Sequence, residues 1–313
     1  MASVTFKGVF PILVTPFDDH GNLDLESFDR TVRFMADIGV NGVTIIGVLG
    51  ESNRMLDVER EQLIKTAVGA AGGRIPVIAG TSYSGTRATL ELSRMAESLG
   101  AAGVMVTPSR ESVPNEDRIF EFFQQVAEGI SIPIVVQDHP ASTQVHMSVP
   151  LILRLVREIP LVACIKEEAV PTPPKITALL NGIGDQAVTI LTGLGALYGA
   201  FDLARGAHGF MTGFAFPEVL LALVRSAENR DFDTVHDIYH RYLPLIVYEQ
   251  QPGVALRKEI FRLRGLIASS YVRHPGANID PTTADHLKSL LRKMLPGVDI
   301  TRPIEVLTAG FRL

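Results

Sequence analysis

The sequence has little of several residue types on which other classes of protein depend. Its 313 residues include one cysteine, Cys164, and no tryptophan. A single cysteine excludes an internal disulfide framework and any zinc site built on paired cysteines. The His, Asp and Glu residues show no metal-ligand spacing either. We therefore expect neither a metal nor another cofactor.

Excess positive charge and long apolar runs are also missing. The formal net charge is −5, which argues against nucleic acid or an anionic membrane as the main partner. No apolar run reaches the roughly 18 residues that a membrane span needs. The start, MASVTFKGVF, lacks the charged beginning and the long apolar core of a signal peptide. We therefore expect a cytoplasmic enzyme.

What the sequence does contain is a series of short apolar runs, each followed by a stretch with helix periodicity. Most runs start about 30 residues after the previous one, the repeat of a strand–helix unit. They are continuously apolar rather than alternating, which indicates parallel strands covered on both faces. Eight such units favour an α/β fold, a closed (β/α)₈ TIM barrel. The predicted strands are Val9–Val14, Gly42–Ile46, Pro76–Ala79, Gly103–Thr107, Pro133–Gln137, Leu161–Lys166, Val188–Thr192 and His208–Thr212.

The chain continues well beyond the eighth predicted strand, and its remainder is mostly helical. No low-complexity linker precedes this part. We expect the barrel to occupy residues 1–216 and a C-terminal helical extension, residues 217–313, to pack on it and to make subunit contacts. The helices predicted from their apolar stripes or boundaries are Leu25–Ile38, Thr86–Leu99, Ala196–Arg205, Val219–Ser226, Phe232–Tyr248, Gly253–Leu263 and Thr282–Met294.

One of the seven lysines has an unusual position. Lys166 closes the apolar run LVACIK at the carboxyl end of the sixth predicted strand, the end at which barrels carry their sites. If Cys164 points inward, the two-residue strand period places Lys166 inward as well. The other lysines lie in polar or helical contexts in which we expect solvated side chains. They are Lys7, Lys65, Lys175, Lys258, Lys288 and Lys293.

A lysine at that position can act as a nucleophile. The neutral amine attacks a carbonyl carbon to give an imine, and apolar surroundings disfavour the competing ammonium form of a lysine. The protonated imine then withdraws electrons, which permits carbon–carbon cleavage or loss of a β-hydroxyl. The alternative interpretation is a structural ion pair with Glu51, Glu167 or Glu168. The pattern alone leaves both open.

Several motifs cover nearly the whole chain. They are GVFPILVTPF (Gly8–Phe17), GVLGES (Gly47–Ser52), PVIAGTS (Pro76–Ser82), GAAGVMVTP (Gly100–Pro108), IPIVVQDHP (Ile132–Pro140), IKE (Ile165–Glu167), GAHGFMTG (Gly206–Gly213) and KEIFRLRGLI (Lys258–Ile267). In order and spacing they resemble the dihydrodipicolinate synthase/N-acetylneuraminate lyase family. The resemblance implies a (β/α)₈ barrel with a C-terminal helical bundle, commonly a homotetramer built from dimers. It also implies a Schiff base between a small 2-oxo acid and the sixth-strand lysine, here Lys166.

The same resemblance assigns further residues to the site. It gives the carboxylate of the 2-oxo acid to the backbone N–H groups of Gly47, Val48 and Leu49, which suits a loop that opens toward a helix N-terminus. The ordinary alternative for this glycine-rich loop is a tight turn. Gly193 and Met211 match the positions that border the substrate on the seventh and eighth strands.

At strand five the sequence departs from the synthases and sialic acid lyases of the family. Those enzymes carry a proton-shuttling tyrosine in a Tyr–Asn–x–Pro-like motif, and the matching residue here is Gln137. A carboxamide can bind a hydroxyl or a water, but it cannot exchange protons at neutral pH. Other relay residues are missing too: Val48 and Leu49 replace the loop threonine, and Ser109–Arg110 replace the tyrosines after strand four. Ser142 stands where the synthase has a substrate-binding arginine.

The strand-five Gln–Asp–x–Pro motif resembles another branch, the 2-keto-3-deoxy-sugar-acid dehydratases, such as those acting on L-2-keto-3-deoxyarabonate. In that branch the enamine expels a hydroxyl as water, and Gln137 would orient a hydroxyl or the catalytic water. His139 could supply the missing acid–base group. Arg110 could contact distal substrate oxygens or be solvated, and Asp138 should point away from the barrel axis and be structural.

Three functions remain open. The first is a Schiff-base lyase, a dehydratase or aldolase of 2-keto-3-deoxy sugar acids. The second is condensation of pyruvate with an aldehyde, as in 4-hydroxy-tetrahydrodipicolinate synthase. The third is a catalytically impaired barrel that binds a 2-oxo acid, which Val48, Leu49 and Gln137 favour. Each would take a small 2-oxo acid and form a homo-oligomer, a tetramer or a dimer.

Overall fold

The computed structural model describes residues 4–111, 115–251 and 253–306. Its strands are β1 (Gly8–Val9), β2 (Val43–Ile45), β3 (Val77–Gly80), β4 (Gly103–Val106), β5 (Ile134–Asp138), β6 (Val162–Glu167), β7 (Thr189–Thr192) and β8 (Gly209–Phe210). They form one parallel sheet in the order β1-β8-β7-β6-β5-β4-β3-β2. In this order the strands from β2 to β8 each lie beside the next strand in sequence, and β1 lies beside β8.

The segment after β1 closes the sheet into a barrel. The Leu13 N–H donates to the Thr44 carbonyl at 2.9 Å, and the Thr44 N–H donates to the Pro11 carbonyl at 2.8 Å. On the other side of this segment, the Ile12 N–H donates to the Thr212 carbonyl at 2.9 Å. The chain is therefore a (β/α)₈ TIM barrel, as the sequence predicts.

Both strands at the seam between β1 and β8 are shorter than predicted. The structure has two residues of the strand expected at Val9–Val14 and two of the strand expected at His208–Thr212. Pro11 has no N–H to donate, which interrupts the pairing of this segment with β2, whereas the Ile12 N–H continues the pairing with β8. The two backbones also approach closely, because a Cβ at Gly209 would lie 1.9 Å from the carbonyl oxygen of Gly8. Glycine is therefore required at position 209.

Helices follow the strands and then extend beyond the last of them. In the described residues they are α1 (Leu25–Asp37), α2 (Asp57–Ala71), α3 (Thr86–Ser98), α4 (Glu116–Glu128), α5 (Pro140–Thr143), α6 (Val149–Glu158), α7 (Thr172–Ile183), α8 (Gly199–Ala204), α9 (Pro217–Glu228), α10 (Phe232–Gln250), α11 (Val254–Leu263) and α12 (Pro281–Met294). Side chains of Asp24, Ser148 and Asp231 cap α1, α6 and α10 by accepting from backbone N–H groups.

The helices after β8 pack on the barrel and on one another. Helix α9 contacts α8 and β1, and α10 contacts α9, α11 and α12. The predicted helical extension is therefore present, whereas the division of the chain at residues 216 and 217 stays a prediction. In the part of the chain that the structure describes, no helix combines the length and the apolar character that crossing a membrane requires.

The barrel interior is packed below its carboxyl end. A cluster of buried apolar side chains fills it: Phe6, Phe10, Ile12, Ile78, Met105, Val135, Cys164, Leu191 and Met211. Cys164 therefore points inward, and the two-residue strand period places Lys166 inward as well. Burial raises the pKa of the Cys164 thiol to about 12. Since the interior is filled, a ligand can enter only at the end of the strands.

Of the six lysines expected in solvent, Lys258 is buried and Lys175 is mostly shielded, so the expectation is wrong for both. Lys258 is 0% exposed; its Nζ pairs with the Glu51 carboxylate and donates to the Tyr271 carbonyl at 2.7 Å. Lys175 pairs with Asp138, and its side chain is 16% exposed. A buried ammonium requires a paired carboxylate. In both cases that carboxylate comes from a distant segment, which the local pattern does not reveal.

Two carboxylates lie behind the barrel wall, on the outer side of β5 and β6. Asp138 and Glu167 are in register between these strands and are 0% exposed. Lys175 in α7 donates to Asp138 and lies 3.8 Å from Glu167 Oε2. Asp138 therefore has the structural role that the sequence predicts. Burial and the neighbouring Asp138 raise the pKa of Glu167 to about 8, against the effects of Lys175 and of a backbone N–H.

We expect Glu167→Gln to flatten the pH dependence of stability. The carboxyl of Glu167 ionises near pH 4.5 when unfolded and near pH 8 when folded. Between these values only the unfolded chain releases the proton, so the stability present below pH 4.5 is lost as the pH rises through 8. Glutamine has no such proton. Urea unfolding at pH 4.5, 6 and 8 measures the free energy of unfolding. As the pH rises, this free energy should increase for the variant relative to the wild type. The same pH dependence in both proteins would contradict the expectation.

Candidate active site

A small cavity opens at the carboxyl end of the strands. Its volume is about 140 Å³, well below the roughly 300–1,000 Å³ of pockets that take drug-sized ligands. Its walls come from β5, β6, the loops after β2, β7 and β8, and the helices α10 and α11. Its ionisable side chains are Lys166, Glu168, Glu249, Arg257 and His139. The cavity suits a small polar substrate.

Lys166 and Gln137 meet at one carboxylate, that of Glu168. Lys166 Nζ lies 3.0 Å from Glu168 Oε2, and Gln137 Nε2 donates to the same oxygen at 2.7 Å. The Leu194 N–H donates to Glu168 Oε1 at 3.0 Å. All three side chains are buried, and β5 and β6 place Gln137 and Lys166 side by side in register. Glu168 is therefore held between an amine, an amide and a backbone N–H.

Glu168 remains a carboxylate at neutral pH. Burial raises its pKa, but the Lys166 ammonium, His139 and the hydrogen bonds from Gln137 and Leu194 lower it further, so the pKa lies below its ordinary value. An ionised carboxylate beside an amine can take the proton of that amine, or a proton from a carbon held next to it. The pair thus joins a nucleophile to a base.

The turn after β7 is shaped to hold Glu168. Leu194 and Ala196 have φ of 52° and 65°, a left-handed conformation that is unfavourable for residues with a Cβ. The Gly195 N–H donates to Thr212 Oγ1 at 2.7 Å, which fixes the turn. A Cβ at Gly193 would lie 2.0 Å from Glu168 Oε1. Gly193 therefore makes room for the carboxylate, and the two residues after it line the cavity.

The loop after β2 forms the wall opposite β6. Gly47, Val48 and Leu49 line the cavity, and Val48–Gly50 form one 3₁₀ turn. Within the described ranges the N–H groups of Val48 and Leu49 donate no hydrogen bond to the protein. Ile46, a β-branched residue at φ 57°, precedes the turn in a strained conformation. The loop therefore offers unused backbone donors, and carboxylate binding by it stays a prediction.

The remaining predicted residues lie in different places. His139 lines the cavity, with Ser142 Oγ 2.7 Å from its Nδ1. Burial, together with Lys166, lowers the pKa of His139 against the effects of Glu168 and Asp138, which favours a neutral imidazole. Met211 belongs to the interior cluster below the site. Arg110 is exposed, donates to Gln144 and lines a separate groove, so the structure does not bring it to this cavity.

Sequence reasoning missed the central role of Glu168, which it considered only as an ion-pair partner. The two-residue alternation that places Cys164 and Lys166 inward also places Glu168 inward, so the sequence does contain a signal for its position. It also missed Glu249 and Arg257, which α10 and α11 bring to the cavity. Nothing in their local pattern distinguishes them from residues of ordinary helices. Among the described residues, no group of three or more His, Cys, Asp or Glu could hold a metal ion.

The fold and the site together define a barrel enzyme with a buried lysine beside a carboxylate. The chain belongs to the dihydrodipicolinate synthetase family, whose sequence profile matches residues 5–294. The family inferred from the sequence motifs is therefore confirmed.

Relatives in this family differ in their named activities. An L-2-keto-3-deoxyarabonate dehydratase from Azospirillum brasilense is 37% identical over 295 residues, which are 93% of this chain and 95% of the relative. A 4-hydroxy-tetrahydrodipicolinate synthase from Persephonella marina is 32% identical over 291 residues, covering 92% and 98%. A crystal structure of dihydrodipicolinate synthase from Rhodopseudomonas palustris has a TM-score of 0.88 at 35% identity, covering 94% and 99%.

Proposed function

We propose that this chain is a Schiff-base-forming lyase of small 2-oxo acids, and specifically a dehydratase of 2-keto-3-deoxy sugar acids. The contact of Lys166 with Glu168, shared with Gln137, carries this proposal. It joins a nucleophilic amine, a base and a neutral hydrogen-bonding amide in one small cavity. The similarity to a dehydratase of L-2-keto-3-deoxyarabonate supports the choice of substrate.

Imine formation uses the amine and the carboxylate in turn. Glu168, 3.0 Å from Nζ, takes a proton from the Lys166 ammonium, and the neutral amine attacks the C2 carbonyl carbon. Glu168 gives that proton to the carbonyl oxygen and takes a second proton, which the attacking nitrogen loses. Glu168 returns this proton to the carbinolamine hydroxyl, which leaves as water. The substrate carboxylate lies on the N–H groups of Val48 and Leu49, across the barrel from Lys166.

Dehydration then uses the same carboxylate. Glu168 removes a proton from C3, and the electrons of that C–H bond move into the imine to give an enamine. The enamine expels the C4 hydroxyl, which takes the proton back from Glu168 and leaves as water. Gln137 orients the leaving hydroxyl, and His139 is placed to exchange protons with bulk water. Hydrolysis of the imine finally releases the product and regenerates Lys166.

A substrate panel tests the proposal. Purified protein is incubated with pyruvate or with individual 2-keto-3-deoxy acids, reduced with borohydride and weighed; we expect an adduct. In parallel, mass spectrometry follows loss of one water from each 2-keto-3-deoxy acid, and lactate dehydrogenase detects pyruvate from aldol cleavage. Pyruvate release without dehydration would favour an aldolase. Consumption of pyruvate with aspartate semialdehyde would favour the synthase, and no adduct with any 2-oxo acid would favour a binding protein.

We expect Gly193→Ala to lower turnover of the best substrate about 100-fold, the size of effect that a displacement near 1 Å can produce. The added methyl group would lie 2.0 Å from Glu168 Oε1, so the carboxylate must leave its place beside Lys166. Gly69→Ala is the matched control, since a Cβ at Gly69 in α2 meets nothing within 4 Å. Steady-state kinetics checks both variants, and equal turnover in the two would contradict the expectation.

We also propose that the chain forms a homo-oligomer, a tetramer or a dimer, in the cytoplasm. Similarity to the family supports this proposal. Light scattering of the purified protein over a range of concentrations tests the oligomeric state.

A further inference from the structure

The cavity contains a second cationic side chain, which the steps above do not use. Arg257 in α11 lines the cavity and is 2% exposed. Its Nε donates to Glu249 Oε2 at 2.9 Å, and its Nη2 lies 2.8 Å from the same oxygen. Within the described residues its Nη1 is buried without a hydrogen-bond partner. A buried charged donor without a partner is unfavourable, and a ligand or a water in the cavity can supply the acceptor.

Glu249 fixes this guanidinium in place. The carboxylate is 1% exposed, and its other oxygen, Oε1, accepts from the Ala215 N–H at 3.1 Å. Both Glu249 oxygens are therefore occupied, one by Arg257 and one by the backbone after β8. Nη1 is the end of the guanidinium that this arrangement leaves open.

The unpartnered nitrogen lies beside the loop after β2. A Cβ at Gly213 would lie 2.5 Å from Arg257 Nη1 and 2.5 Å from Leu49 Cδ1. The guanidinium and Leu49 therefore meet over the α-carbon of Gly213, where only glycine leaves enough room. In the strand order β2 and β6 lie on opposite sides of the barrel. Arg257 Nη1 thus lies between the loops after β2 and β8, in the cavity that also contains Lys166.

The loop itself has few groups for a carboxylate. The side chains of Val48 and Leu49 carry no donor, so the loop offers only backbone N–H groups. A guanidinium matches the geometry and the charge of a carboxylate better than any other side chain. We propose that Arg257 Nη1 binds the C1 carboxylate of the 2-oxo acid together with the N–H groups of Val48 and Leu49. This inference rests on the proposed function, which supplies the ligand.

The consequence is that the C-terminal helices complete the substrate site. The barrel provides the nucleophile, whereas α10 and α11 provide the charge that selects an anionic substrate. Specificity for an acid over a neutral carbonyl compound then depends on Arg257. The rate of imine formation with a neutral compound is independent of Arg257.

Pyruvate and pyruvamide, its neutral analogue, are the probes. The measured quantity is the concentration that gives half-maximal borohydride-trapped adduct. The main variant is Arg257→Met combined with Glu249→Gln, which removes both charges together and leaves no unpaired ion. We expect the half-maximal pyruvate concentration to rise roughly 10- to 100-fold, the range for loss of a charge-assisted hydrogen bond. The value for pyruvamide should change less than about twofold.

Arg110→Met is the matched control, because it removes an exposed arginine outside the cavity, and we expect it to change neither value. Thermal unfolding checks that the variants fold. If the double variant does not fold, Arg257→Lys serves instead, since it keeps the charge beside Glu249 but lacks the Nη1 branch; the same selective loss for pyruvate is expected.

The outcomes separate the inference from the proposed function. If the wild-type protein gives no adduct with any 2-oxo acid, the proposed function fails. If it gives an adduct and a folded Arg257 variant needs the same pyruvate concentration, the inference on Arg257 is overturned and the proposed function stands. An equal rise for pyruvate and pyruvamide also overturns it, because that result indicates a structural role alone.

Discussion

Lys166→Met is expected to abolish the borohydride-trapped adduct and to lower turnover at least about a thousandfold, as removal of a covalent nucleophile does. Methionine has a similar length but no amine, so it cannot form an imine. The variant should also be less stable, because Glu168 loses its ammonium partner while it stays buried. Mass spectrometry of the reduced protein, steady-state kinetics and urea unfolding check the three effects.

Lys7→Met provides the control for that experiment, because Lys7 is half-exposed and pairs with Glu228, which is half-exposed as well. We expect it to form the full adduct. Peptide mapping of the wild-type adduct should identify the peptide that contains Lys166. An adduct on Lys258, the other fully buried lysine, would show that the nucleophile was assigned to the wrong side chain.

Glu168→Gln is expected to form the adduct more slowly and to lose turnover by about 10²- to 10⁴-fold, the usual contribution of a positioned general base. Glutamine has the size of glutamate, and its Oε1 can still accept from the Leu194 N–H. It cannot take a proton from C3 at neutral pH. Turnover of the wild type should fall as the pH falls through the lowered pKa of Glu168, and this acidic limb should be missing in the variant.

The neighbouring carboxylate gives the matched control. Glu167→Gln makes the same chemical change one residue away, on the outer side of β6. We expect its turnover to stay near that of the wild type at the pH optimum. If Glu168→Gln turned over substrate as fast as Glu167→Gln, proton transfer at C3 would have to be assigned to another group, and His139 would be the first to test.

The fold could be predicted because its signals are local. Each buried parallel strand is a continuous apolar run, and each helix has its own apolar stripe. The close approach of β1 to β8 could not be predicted, because Gly8 and Gly209 are far apart in the sequence. The same holds for Lys258, whose burial depends on Glu51.

The site could be predicted where it follows strand alternation. Lys166 ends an apolar strand, and the same alternation also applied to Glu168, two residues further on. Arg257 and Glu249 lie on helices that only tertiary packing brings over the cavity. Arg110, for which the sequence left a contact with substrate and a solvated position both open, lines a separate groove.

The loop after β2 also indicates how far the side chains of a carboxylate-binding loop can diverge. The donors that Val48 and Leu49 offer belong to the main chain, and every amino acid except proline has this N–H. Evolution can therefore exchange the side chains of this loop, hydroxyl for aliphatic, without removing the backbone groups that would bind a carboxylate. The side-chain motif of this loop therefore indicates common ancestry and does not report the backbone groups that would bind a carboxylate. The loop must preserve its backbone turn, and many sequences can form such a turn.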